Sequence, residues 1–240
     1  ETKIKFDKKN VESSYIVSCS YDVQCIKPGN VNYFSGHPDT AIDDFVKSYE
    51  VTSNMITLPN LSLGQRIYNC VKSTKEATNT NTNLGIILLC SVFIQSLLVN
   101  EKYTLSEAIK NIIMDASQQD VTDMCNAITL ADPGGLGSHE SYDVRSIPDI
   151  SLHEIMSLSS DYDQISNQYS QYFTDIFNFI IPTLHNSMSE IKDTKYAISY
   201  SFLKILEKYP DSHITRKYDH KIAKKTSKEA SDLIKILDGD

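Results

Sequence analysis

The chain has 240 residues, 40% of them hydrophobic and 22% charged, which suits one large domain or two small ones with a continuous core. A formal net charge of -8 and a pI of about 5.2 argue against general nucleic-acid binding, which needs a basic face, but leave room for a small anionic ligand held by local cations. Five cysteines without a Cys-x-x-Cys pair speak against a disulfide framework or a zinc site and point to a reducing, cytoplasmic setting.

The charged stretch Glu1 to Lys9 has no apolar signal core. Ile16 to Ile26 suits a strand by composition, and its Ser18-Cys19-Ser20-Tyr21-Asp22 suits a helix start or loop equally well. After residue 40, apolar residues recur at helical spacing almost throughout. The polar stretch Lys72 to Thr82 reads as a helix end followed by a loop. Leu84 to Val99 is the most apolar run, too short for a typical membrane span and interrupted by Ser91, Gln95 and Ser96, so it reads as a central buried helix.

Leu105, Ala108, Ile109, Ile112, Ile113 and Ala116 fall on one helix face, with Thr104 and Glu107 as a capping box. Ser151 with Glu154, and Thr226 with Glu229, repeat the capping pattern. A long helix is predicted from about Tyr162 to Ile180, with Ile165, Tyr169, Tyr172, Phe173, Ile176 and Phe177 inward, and another from Thr194 to Lys208. Pro59, Pro148, Pro182 and Pro210 punctuate helices. Strand evidence is thin, and no repeat, low-complexity tract or linker stands out. The expectation is an all-α fold: a single helical-bundle domain over residues 1–240, with 1–12 and 226–240 peripheral.

Six of the eight glycines lie in three polar segments. Glycine belongs where a chain turns sharply or approaches a ligand closely. The first segment is Lys27-Pro28-Gly29-Asn30, then Gly36-His37-Pro38-Asp39-Thr40 and Asp43-Asp44. Lys27 suits a phosphate, and Asp39, Asp43 and Asp44 suit magnesium. Equally, Asp39 or Thr40 caps a helix whose first turn carries Asp43 and Asp44. The second is Thr78 to Gly85, with Asn81, Thr82 and Asn83 leading into the apolar helix. It offers either ordinary caps or an anion-attracting helix start.

The third is Asp132-Pro133-Gly134-Gly135-Leu136-Gly137, followed by Arg145. Its backbone amides suit phosphates, though it matches neither the dinucleotide fingerprint nor the P-loop. The fourth runs from Asp161 to Tyr169, where Asp161, Gln164 and Gln168 share a face that is solvated or ligand-facing. The fifth is Pro210-Asp211-Ser212 through Arg216-Lys217, a carboxylate and two cations within two turns, or an Asp-capped helix with a basic end.

Taken in this order, the five segments resemble the triphosphoribosyl-dephospho-CoA synthase (CitG-like) family, in its archaeal-type branch, over roughly residues 15–225. Lys27-Pro28-Gly29-Asn30 with Gly36-His37 resembles the Lys-Pro-Gly and Gly-x-His-x-Asp elements, and Asn81-Thr82-Asn83-Leu84-Gly85 stands where bacterial members carry Asn-Thr-His-Lys-Gly. The resemblance implies a cytoplasmic, all-α transferase that moves the triphosphoribosyl group of ATP to dephospho-CoA, with release of adenine and with Mg²⁺ on the triphosphate. It implies Asp39, Asp43, Asp132 and Asp211 as catalytic candidates, and Asp39, Asp43 and Asp211 as metal ligands. Lys27, Gly29, Asn30, His37, Asn81, Thr82, Asn83, Gly134, Gly135, Arg145, Gln168, Arg216 and Lys217 become the substrate-binding candidates.

Expected partners are small nucleotides, with neither nucleic acid nor membrane. Tyr162 and Tyr172 offer a contact for a homodimer. Two departures matter: Asn83 and Leu84 replace a titratable group and a cation, and Asp219 follows Tyr218 where many relatives carry Gly. They keep two alternatives in view, a related Mg-dependent ribosyl or phosphoribosyl transfer in cofactor biosynthesis and a non-catalytic nucleotide-binding helical protein.

Overall fold

A computed structural model describes residues 6–30, 32–33, 42–99, 102–133 and 149–239, apart from the side chain of Lys217. Helix α1 (Lys8–Gln24) starts where the Asp7 carboxylate accepts from the Lys9 amide at 3.1 Å. It absorbs most of the Ile16–Ile26 stretch as helix, because Val11, Tyr15, Cys19 and Val23 recur every four residues and form its buried face. Helix α2 (Ile42–Ile56) carries Asp43 and Asp44 in its first turn. Helix α3 (Leu63–Thr78) opens on a Ser62–Gln65 capping box and closes on Asn79 in the left-handed region, at φ 56°.

Helix α4 (Leu84–Val99) is the apolar central helix. Helices α5 (Leu105–Met114), α6 (Gln118–Ala131) and α7 (Leu152–Ser157) each start on a capping box, at Thr104, Ser117 and Ser151. They are followed by α8 (Gln164–Ser170), α9 (Ile181–Glu190), α10 (Thr194–Lys208), α11 (Ser212–Lys217) and α12 (His220–Asp238). The described residues contain no sheet, and the fold is all-α.

Two expected elements differ. The helix predicted over 162–180 is broken: Asp163 caps α8, and Tyr172 and Phe173 take the left-handed region at φ 51° and 63°. That conformation costs about 1–2 kcal/mol per L-residue. Burial of Phe173, edge-on to Phe93 and Tyr169 with ring centroids 5.4 and 5.3 Å away, offsets the cost. The chain resumes as a π-helical segment (Ile176–Ile180) and passes into α9, with Pro182 in its first turn, where a missing amide is tolerated. Thr226 lies inside α12 and donates back to the Ile222 carbonyl at 3.1 Å; the cap is Asp219, which stands earlier and accepts from the Ile222 amide at 2.8 Å.

Side-chain bonds fix the helix directions. Tyr15 of α1 meets Thr52 of α2 at 2.9 Å, and Lys8 meets Asn54 at 3.5 Å, so these two helices are antiparallel. Arg66, near the start of α3, donates to Ile56 at the end of α2 at 2.6 Å and to Gln95 near the end of α4 at 3.5 Å, while Thr74 near the end of α3 donates to Asn83 at 3.1 Å. Helix α3 is therefore antiparallel to α2 and α4. It is parallel to α6: the Gly64 amide donates to Asp120 at 2.8 Å, and a Cβ on Gly64 would sit 2.5 Å from the Asp120 Cα. Helix α8 runs along α4, with Tyr169 donating to the Leu88 carbonyl at 2.7 Å and Ile165 against Gly85. The end of α1 and the starts of α2, α4 and α8 thus lie at the same end of the bundle as the ends of α3 and α6.

Candidate active site

That shared end carries most of the described site candidates. Pro28 and Gly29 form a turn in which Asn30 donates to the Lys27 carbonyl at 3.1 Å, and Gly29 supplies the positive φ of 78°. Asn30 ties the turn to α1 through Asp22, at 3.3 Å to its carboxylate, and the Lys27 ammonium is ion-paired with the same carboxylate. Lys27 is 9% exposed, with its ammonium 6.0 Å from the Phe202 ring centroid.

On the other side of α2, the Ser48 hydroxyl bridges the Asp44 carbonyl and the Thr82 hydroxyl, so the acidic first turn of α2 is held beside the start of α4. Asn83 is 5% exposed; its oxygen accepts from Thr74, and its Nδ2 has no partner. Asn81 is exposed on the rim of a small hole that Asn83 shares with residues of α3 and Ala131 of α6. One residue further on, Asp132 ends α6 in the left-handed region at φ 47°.

Gln168, 6% exposed on α8, has an unpartnered Oε1. Asp163 joins two candidate segments: it caps α8 by accepting from Ser166 at 2.9 Å and is ion-paired with Arg216 of α11. Burial and the Asp163 carboxylate push the Tyr162 hydroxyl above its ordinary range. Asp211 caps α11, accepting from the His213 and Ile214 amides at 2.7 and 3.0 Å. Asp161 lies in a turn ahead of the Asp163 cap, so it shares no helix face with Gln164 and Gln168. Tyr172, offered as a homodimer contact, is half-buried and stacked on His153, with centroids 4.9 Å apart.

His37, Asp39, Gly134, Gly135 and Arg145 lie outside the described residues, as does the Lys217 side chain. Among the described residues no group of three or more His, Cys, Asp or Glu is placed to hold a metal ion. Sequence reasoning passed over Asp22, Ser48, Thr74 and Asp163. Asp22 stands five residues before Lys27, a spacing that could have signalled the pair; Asp163 shows locally only as a helix cap, and Ser48 and Thr74 meet their partners on other elements.

A cavity of about 430 Å³ lies at the opposite end, between Ser62, Gln95, Tyr103, Asn111 and Asp120. It contains none of the candidates. No helix among the described residues is long and apolar enough to cross a membrane. No curated protein and no solved structure matches the chain. The family model of CitG, ATP:dephospho-CoA triphosphoribosyl transferase, matches residues 8–239. A match over nearly the whole chain, on an all-α fold, makes this protein a member of the CitG family and a transferase of the triphosphoribosyl-dephospho-CoA synthase type.

Proposed function

We propose that the end of the bundle where α4 begins is the active site, and that it moves the triphosphoribosyl group of ATP to the 2′-hydroxyl of dephospho-CoA. The observation that carries this reading is the meeting of separate polar segments around an incompletely satisfied Asn83 at the start of an otherwise apolar helix. The bond from the ribose anomeric carbon to adenine breaks, and a bond from that carbon to the acceptor oxygen forms. Adenine leaves with a proton, and the acceptor hydroxyl gives one up. Positive charge builds at the anomeric carbon, where a carboxylate stabilises it, and a carboxylic acid assists adenine.

Asp43 and Asp132 suit these tasks better than Asp211. Their carboxylates make no hydrogen bond or ion pair among the described residues, whereas Asp211 is engaged in capping α11. Asp39 remains a candidate of the same segment as Asp43. Lys27 and Arg216 are held ready by Asp22 and Asp163 and exchange those carboxylates for phosphates when the nucleotide arrives. A magnesium ion that travels on the triphosphate needs only one or two protein carboxylates, a demand that Asp43 with Asp39 or Asp132 would meet. Such an ion would neutralise phosphate charge, with Asp43 in the first turn of α2 a described carboxylate that could hold it. Cytoplasmic location and the archaeal-type branch belong to the same reading.

The test is release of adenine from ATP and Mg²⁺ with dephospho-CoA, followed by chromatography. Wild-type protein is expected to release adenine only with acceptor present. Asp132→Asn is expected to lower kcat by about 10²-fold or more, the range for a lost acid–base group, without a change in the unfolding midpoint. Absence of adenine with dephospho-CoA would overturn the acceptor, and absence with every nucleotide acceptor would overturn the reaction.

A further inference from the structure

We propose that the hole between α3, α4 and α6 seats a phosphoryl oxygen of the triphosphate chain, with Asn83 donating to it and Lys75 neutralising its charge. This rests on the reading of the chain as an ATP-using transferase and specifies where the polyphosphate is gripped.

The hole lies among Val71, Thr74, Lys75, Thr80, Asn83 and Ala131 and has a volume of about 10 Å³, room for one oxygen atom. Three features of its wall favour an anion. The Asn83 Nδ2 is a buried donor with no acceptor, a state that costs about 1–3 kcal/mol and that an entering acceptor relieves.

The second feature is the start of α4. The Asn83 carbonyl takes the first helical bond, from Ile87 at 2.9 Å, but its side-chain oxygen is turned to the Thr74 hydroxyl. Among the described residues no side chain accepts from the first-turn amides, and a helix of 16 residues directs its positive end to this side. The third is Lys75, half-buried in the last turn of α3, whose ammonium forms no ion pair among the described residues. The described residues that line the hole include no carboxylate. A buried donor with no acceptor among the described residues, the first residue of α4 and a half-buried lysine therefore line one small space. Lys75 also restores a cation to a segment where Leu84 stands in place of lysine.

Inorganic triphosphate is the probe, titrated calorimetrically into the full chain. Asn83→Asp keeps the shape and the bond from Thr74 but replaces the donor by a negative charge; Lys75→Met keeps most of the stem and removes the charge. Wild-type protein is expected to bind triphosphate, each variant to bind at least tenfold more weakly, and Lys75→Met to show a shallower salt dependence. Adenine release from ATP is read in parallel. Equal affinity in Lys75→Met and wild type, or adenine release by a wild type with no affinity for triphosphate, would show that the hole holds only water and would overturn the seat alone. A wild type that neither binds triphosphate nor releases adenine would overturn the ATP reading with it. If Asn83→Asp does not fold, Lys75→Met decides by itself.

Discussion

Arg66 and Asp120 show how single charged groups are kept inside this bundle. Arg66 has no exposed surface; it donates to the carbonyls of Ile56, Leu58 and Leu61 at 2.6, 2.8 and 3.2 Å, and burial lowers its pKa to about 10. It closes the open end of α2 from within. Asp120 is 6% exposed and accepts from the Gly64 amide, the Ser117 amide and the Ser117 hydroxyl at 2.8, 2.9 and 2.7 Å. Burial alone would raise its pKa, but hydrogen bonds from Ser62, Ser117 and Gly64 outweigh it and hold the carboxyl below the usual value of 3.8. The native carboxylate thus keeps its charge to lower pH than the unfolded one. Its contribution is present above about pH 4 and is lost as pH falls through the native value. Asp120→Asn is expected to cost about 2 kcal/mol at pH 7, the scale of a charged hydrogen bond, and the gap to wild type should narrow below pH 4 in urea titrations.

Among the elements, α3 is the hub, and Gly64 is what lets α6 reach it. A methyl group there would lie 2.5 Å from the Asp120 Cα and 2.6 Å from its carbonyl oxygen, both backbone atoms that cannot swing aside. Gly64→Ala is expected to destabilise by about 3 kcal/mol through overpacking, read as a lower urea midpoint with an unchanged slope. Elements whose causes are local were legible in the sequence. The bounds of α4 follow from composition and those of α10 from period, and the Thr104 and Ser151 boxes form as spelled. The break after α8 was not legible, because Phe173 takes its left-handed backbone from contacts with Phe93 on a distant helix. Thr226 misled for the opposite reason: a local pattern was overruled by an earlier cap. The same division holds at the site. Polar segments could be read as segments, while the Ser48–Thr82, Thr74–Asn83 and Arg216–Asp163 pairs join residues that only the fold brings together.

At the scale of the whole molecule, the described residues form two cores. The larger spans α1 to α8, and a smaller one gathers Leu203, Leu206, Ala230 and Ile234 between α10 and α12. The larger core holds Cys19, Cys70 and Cys125, free thiols that burial pushes up to about 12, 12 and 11. The folded chain therefore keeps protons that the unfolded chain sheds near pH 9. Stability should be steady up to that pH and fall as pH rises toward 11, which urea titrations at pH 8 and 10 would measure; thiol reagents should react with these three groups only on unfolding.

The alternation of helix directions has a further result. The chain arrives at the pole where ligand groups gather at the ends of α1, α3 and α6, and connections such as 57–62 and 115–117 turn around at the antipode. Those antipodal bends are tied down from inside, because Leu58, Leu61, Ser62 and Ser117 supply the partners of buried Arg66 and Asp120. A change of length there would strand a buried charge, so the antipode keeps its spacing for stability and the other pole for chemistry.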